Sequence, residues 1–66
     1  MKITYDKEAD AMYIELVEGE FDHNKKINRD TIIDVDNNGN TLGIEILNVS
    51  KKMPHDFLSG IKIENV

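Results

Sequence analysis

The chain has 66 residues, no cysteine and a formal net charge of −5, with 13 Asp and Glu against 8 Lys and Arg. That length makes one domain with a thin core, because a chain of this size buries only roughly 60% of its unfolded surface. Without cysteine there is no disulfide, no thiolate metal site and no cysteine nucleophile, and the acidic balance disfavours phosphate backbones and anionic membranes. No apolar run approaches the ~18 residues of a membrane span, and MKITYDKEAD has no apolar signal-like core. A cytoplasmic location is therefore expected.

Met1 to Tyr5 reads as a first strand, with Ile3 and Tyr5 on one face and Lys2 and Thr4 on the other. Asp6 to Asp10 breaks the alternation, and Asp6 is expected to cap a single turn by accepting backbone N–H bonds. Ala11 to Val17 resumes it, placing Met12, Ile14 and Leu16 on one side and Tyr13, Glu15 and Val17 on the other. Ile14 and Leu16 are the expected inward pair. Glu18-Gly19-Glu20 is a turn. Phe21 to Asn28 alternates weakly and carries Lys25 and Lys26, which suits a sheet edge where charge discourages stray pairing.

Thr31 to Leu47 reads as two strands joined at Asn38-Gly39, a strong signal for a two-residue type I′ hairpin with φ > 0 at both residues. The implied register sets Asp36 opposite Thr41, Val35 opposite Leu42, Asp34 opposite Gly43, Ile33 opposite Ile44, Ile32 opposite Glu45 and Thr31 opposite Ile46. Period two then gathers Ile33, Val35, Leu42, Ile44 and Ile46 on one face and Asp34, Asp36, Thr41 and Glu45 on the other. Beyond Leu47 a short helical turn over 48–53 is expected, capped by Asn48 or Ser50. Pro54 either ends it or opens a second helix. Phe57, Leu58 and Ile61 fit a helical face, whereas Ile61 to Glu64 fits a strand, and both stay open.

The fold expected from these elements is mainly β (α+β). It is a single antiparallel sheet of four to five strands in meander order over residues 1–47, with a C-terminal helical or strand tail over 48–66 packing on it, one domain in all. Ile3, Tyr5, Ile14, Leu16, Ile33, Val35, Ile44 and Ile46 would form the core face. A lone sheet cannot bury a face by itself, so the tail or a second copy must cover it, and a homodimer is expected.

Two stretches, Tyr5-Asp6-Lys7-Glu8-Ala9-Asp10-Ala11-Met12-Tyr13-Ile14 and Gly43-Ile44-Glu45-Ile46-Leu47-Asn48-Val49-Ser50, resemble the pattern YDxEADALYIxL…GIEILxAS of the DUF2283 family of small prokaryotic proteins. Met12 stands for Leu and Val49 for Ala, and the resemblance covers about residues 1–52. It implies no catalytic role. Some members look like partners of small toxins, which implies an antitoxin-like role.

Asp34-x-Asp36-x-Asn38-Gly39-x5-Glu45 matches the calcium-loop pattern at every specified position. Its flanks alternate like strands, however, and Leu42 occupies a ligating position. In a hairpin, Glu45 lies about 20 Å from the turn along an extended strand. Asp34, Asp36 and Glu45 thus stand as weak candidates for looser metal or ligand binding. Asp6, Glu8, Asp10 and Tyr13 are weak candidates for an interaction site. His23 and His55 lack metal-ligand spacing, and Ser50 and Ser59 lack a nucleophile elbow. Lys25, Lys26 and Arg29 read as a charged edge, so nucleic-acid binding is not expected. No enzyme activity, cofactor or membrane partner is expected. The function read here is a protein-interaction module, in its most specific form an antitoxin-like partner of a small basic protein; the alternative is a metal- or small-ligand-binding domain on the acidic face of the 31–47 hairpin.

Overall fold

The computed structural model describes residues 1–54 and 56. Five strands, β1 (Lys2–Asp6), β2 (Ala11–Glu15), β3 (His23–Asn28), β4 (Thr31–Val35) and β5 (Thr41–Leu47), precede one short helix, α1 (Val49–Lys52). All strand pairs are antiparallel, in one open sheet of order β1-β2-β5-β4-β3. The sheet departs from a simple meander at one point: β5, not β3, lies against β2. The physical reason is composition. Every residue of β3 is exposed, whereas β5 carries Leu42, Ile44, Ile46 and Leu47 and can bury both of its faces.

The outer part of the central hairpin pairs as its hydrophobic pattern predicts, with Thr31 opposite Ile46, Ile32 opposite Glu45, Ile33 opposite Ile44 and Asp34 opposite Gly43. The turn itself differs. Gly39 has φ 86° while Asn38 stays out of the left-handed region, so the turn is not type I′. Asp36 N–H donates to Asn40 O at 3.0 Å and Gly39 N–H to Asp36 O at 3.2 Å, which closes a three-residue loop built on a type I turn. The Asp36 carboxylate selects it by accepting the N–H groups of Asn38 and Asn40 and the Asn40 side-chain amide. That one-residue shift puts Val35 opposite Thr41, and a bulge at Leu42 restores the register before Gly43. Leu42 is thereby moved off the isoleucine face to which simple alternation assigns it.

On the isoleucine face Met12 and Val35 are buried, and Ile3, Tyr5, Ile14, Ile33, Ile44 and Ile46 are half-buried. Leu16, expected inward, is exposed: β2 ends at Glu15, and the amides of both Leu16 and Val17 turn to the Leu42 carbonyl. β3 also begins later than the alternation suggests, and its pairing with β4 shifts between Lys26 and Asn28, leaving Ile27 exposed.

α1 is anchored at one end of the sheet by two carboxylates. Asp6 first closes the β1–β2 turn by accepting the N–H groups of Glu8 and Ala9. Asp10, left-handed at φ 52°, then accepts Ser50 Oγ at 2.7 Å, Ser50 N–H at 3.1 Å and the Tyr5 hydroxyl at 2.8 Å, while its carbonyl accepts Val49 N–H. On the other side buried Asp30 accepts the Asn48 amide at 2.8 Å and pairs with Lys52 at 3.3 Å. Asn48 precedes the helix but is left-handed and makes no side-chain cap; its amide is committed to Asp30. Val49, between the two clasps, is fully buried. The alternatives for His55 and residues 57–66, including Ser59 and the open helix-or-strand choice, lie outside the described residues.

The Ser50 and Tyr5 donors hold the Asp10 carboxyl below its ordinary value, and the Asn48 amide followed by Lys52 does the same for Asp30. A folded-state value below the unfolded one stabilises the fold above about pH 4 and is lost as the pH falls through the folded value. Urea midpoints measured from pH 6 to pH 2 should fall most steeply below about pH 4. Asp10→Asn should lower the midpoint at pH 6 and flatten that acid limb; a limb of unchanged slope would contradict the clasp. Separately, Met12→Ala should cost about 2–5 kcal/mol by chemical denaturation.

Candidate functional site

The sheet's other face carries the polar chemistry. Pairing aligns Lys2, Glu15, Gly43, Asp34 and Asn24 in one row across β1, β2, β5, β4 and β3. The next row is Thr4, Tyr13, Glu45, Ile32 and Lys26. Gly43 therefore separates two acidic residues whose backbones stand about 10 Å apart, two inter-strand spacings. The Tyr13 ring leans over this glycine: a Cβ placed on Gly43 would lie 2.5 Å from Tyr13 Cζ and 2.9 Å from the Ile14 carbonyl oxygen. Only a residue without a side chain admits the ring there.

A cavity of about 460 Å³ opens beside this row. Tyr13, Glu15 and Asp34 line its sheet side, and Val17, Glu18, Gly19, Phe21 and the displaced Leu42 complete it. Gly19 holds the β2–β3 connection down on Leu42, since a Cβ there would meet Leu42 Cδ2 at 2.6 Å. A second concavity, of about 200 Å³, adjoins it through shared Glu15, Val17 and Glu18 and adds Met1, Lys2 and Leu16. Four apolar residues around the pair are open to solvent: Met1 at 72%, Leu16 at 41%, Val17 at 53% and Phe21 at 59%. Asp34 Oδ1 is shut off from solvent and has no hydrogen-bond partner.

Electrostatics on this face run opposite to those of the clasp. Burial, then the neighbouring Asp34 carboxylate, raises the Glu45 carboxyl above its ordinary value. Burial first and Asp34 second likewise raise the Tyr13 hydroxyl. Neutral forms are favoured here, so negative charge is held at a cost.

The structure brings together some of the residues singled out from sequence and separates others. Asp34 and Glu45 stand on neighbouring strands two rungs apart. Asp36 does not join them: its carboxylate is held below its ordinary value by Asn40 and closes the turn. No group of three or more His, Asp or Glu side chains placed to hold a metal ion occurs among the described residues. Tyr13 reaches the cavity, but Asp6 and Asp10 are spent on the turn and the clasp and Glu8 is exposed. His23 Nδ1 lies 2.6 Å from Asp22 Oδ2. Glu15, Val17, Glu18, Phe21 and Leu42 escape a reading of the sequence, because their convergence depends on β2 meeting β5 and on the Leu42 bulge. Among the described residues, no helix is long and apolar enough to cross a membrane.

The two stretches of the family pattern meet in this fold. Asp10 holds Ser50, Met12 faces Ile46, Tyr13 faces Glu45, and Tyr13 packs over Gly43. A family model described as a protein of unknown function, DUF2283, matches residues 2–50. The chain belongs to the DUF2283 family. No curated protein and no solved structure matches it. In this DUF2283 chain the matched segment contains all five strands and the start of α1, and thus both the Asp10–Ser50 clasp and the larger cavity.

Two substitutions test this geometry. Gly43→Ala must displace either the Tyr13 ring or the β2 backbone and should cost about 1–3 kcal/mol, with loss of the Tyr13 near-ultraviolet signal. For Glu45 the sign is the reverse of Asp10. A raised folded-state value makes its contribution complete below the unfolded value near 4.5 and lost as the pH rises through the folded one. Glu45→Gln should therefore raise the urea midpoint at pH 7 and leave it nearly unchanged at about pH 3.

Proposed function

We propose that this protein is a non-catalytic, cytoplasmic protein-interaction module whose docking surface is the pair of adjoining concavities at the end of β2. The observation that carries the reading is the combination found there, exposed Leu16, Val17 and Phe21 beside Glu15, Glu18 and Asp34. Solvent-exposed apolar groups clustered with charge of one sign fit a partner segment that alternates apolar and cationic side chains. On a chain of net charge −5 the partner is a basic protein. In its most specific form the module is antitoxin-like, neutralising a small basic toxin. The reading of a divalent-cation site loses support because Asp36 is engaged in the turn, away from Asp34 and Glu45. The surface also leaves the isoleucine face on the other side of the sheet available to a second copy, and a homodimer through that face is compatible with it.

Affinity capture of the tagged chain from its native host, with mass spectrometry of the eluate, tests the proposal. One small basic protein should be recovered near one-to-one, and Phe21→Ala or Val17→Asp should abolish its recovery. Growth arrest on expressing that protein alone, relieved by co-expression, would give the antitoxin form. Recovery of no basic protein, or recovery indifferent to both substitutions, would overturn the docking surface.

A further inference from the structure

We propose that the larger cavity receives one arginine side chain of the basic partner, its guanidinium held among Glu15, Glu18 and Asp34 and stacked on Phe21. The inference rests on the interaction reading above and names the group that is read. The cavity, at about 460 Å³, lies within the range of ligand-sized pockets. Its walls divide by chemistry as an arginine does, with Val17 and Leu42 for the aliphatic stem and carboxylates for the head.

None of the three carboxylates forms an ion pair with a described residue. The ion pairs found among the described residues, Asp22 with His23 and Asp30 with Lys52, lie elsewhere. Asp34 adds a second observation, a buried oxygen with no hydrogen-bond partner. A cation brought into the cavity offsets the charge of the carboxylates that line it through space, without having to touch Oδ1.

Geometry favours arginine over lysine. Glu15 and Asp34 stand on opposite sides of Gly43, their backbones about 10 Å apart. The Tyr13 ring holds the space over Gly43 between them. A planar head with five N–H donors can bond more than one carboxylate from the open side of that ring and lie flat on the exposed Phe21 ring. An ammonium is a compact, strongly hydrated point charge that serves one carboxylate at a time.

Titrating the full ¹⁵N-labelled chain with three blocked tripeptides, acetyl-Ala-Xaa-Ala-amide with arginine, lysine or citrulline at the centre, tests the assignment. The arginine peptide should shift the amides of Glu15, Val17, Gly19, Phe21 and Asp34 saturably, and at least about fivefold more tightly than the lysine peptide. The uncharged citrulline peptide should produce no saturable shift. Asp34→Asn should weaken the arginine response about tenfold while leaving the remaining spectrum in place. Equal responses to arginine and citrulline, or shifts spread over Asp6, Glu8 and Asp56 as well, would overturn the arginine site. If the peptide response fails while Phe21→Ala still abolishes capture of the partner, the arginine assignment falls and the docking surface stands. If capture ignores both Phe21→Ala and Val17→Asp, both fall.

Discussion

The structure depends on β5 being paired along both of its edges. A strand in that position has its backbone hydrogen bonds met on both sides, and the two faces of Thr41 to Leu47 differ in character. Ile44 and Ile46 turn to the isoleucine face, while Gly43 and Glu45 turn to the face that holds Tyr13. Gly43 is the pivot. It is the point on β5 where β2's aromatic ring can lie against backbone, and it keeps Glu15 and Asp34 apart on either side. A larger residue there would move Tyr13 and refill the space beside the cavity.

The two ends of the sheet are built on contrasting electrostatic terms. At the α1 end, Asp10 and Asp30 are surrounded by donors and hold their charge readily, so they tie the helix to two separate turns. On the Tyr13 face, burial and the neighbouring Asp34 carboxylate act against ionisation of Glu45. The donor-rich carboxylates thus serve the fold, while Asp34, with one oxygen shut off from solvent and without a hydrogen-bond partner, lines the cavity.

Membership of the DUF2283 family gains a physical sense from the same arrangement. The two stretches that carry the family pattern are separated by about half the chain, yet β2–β5 pairing and the Asp10–Ser50 clasp bring them side by side. Glu8, within the first stretch, remains exposed and unengaged by that clasp. The residues between the stretches supply β3 and β4 and, through Glu18 and Phe21, the outer wall of the cavity.

Local chemistry was legible in the sequence. Period-two alternation marked four strands and, weakly, β3, Asp6 announced the turn it closes, the lysines of β3 marked a sheet edge, and the outer register of the 31–47 hairpin followed from its isoleucines. What the sequence by itself determined was therefore what neighbours along the chain decide: strand, turn and the sidedness of each strand. Tertiary structure alone decided that β5 would lie against β2, that Leu42 would bulge away from Ile33, and that Asp36 would close the loop and not join Asp34 and Glu45. Asn38-Gly39 shows why. A two-residue and a three-residue loop both accept Gly39, and the choice fell to the hydrogen bonds Asp36 makes with Asn38 and Asn40 together with a bulge on the opposite strand. The cavity lies one step further from the sequence, because its walls come from β2, its following loop, β4 and β5, and only long-range pairing brings those segments together.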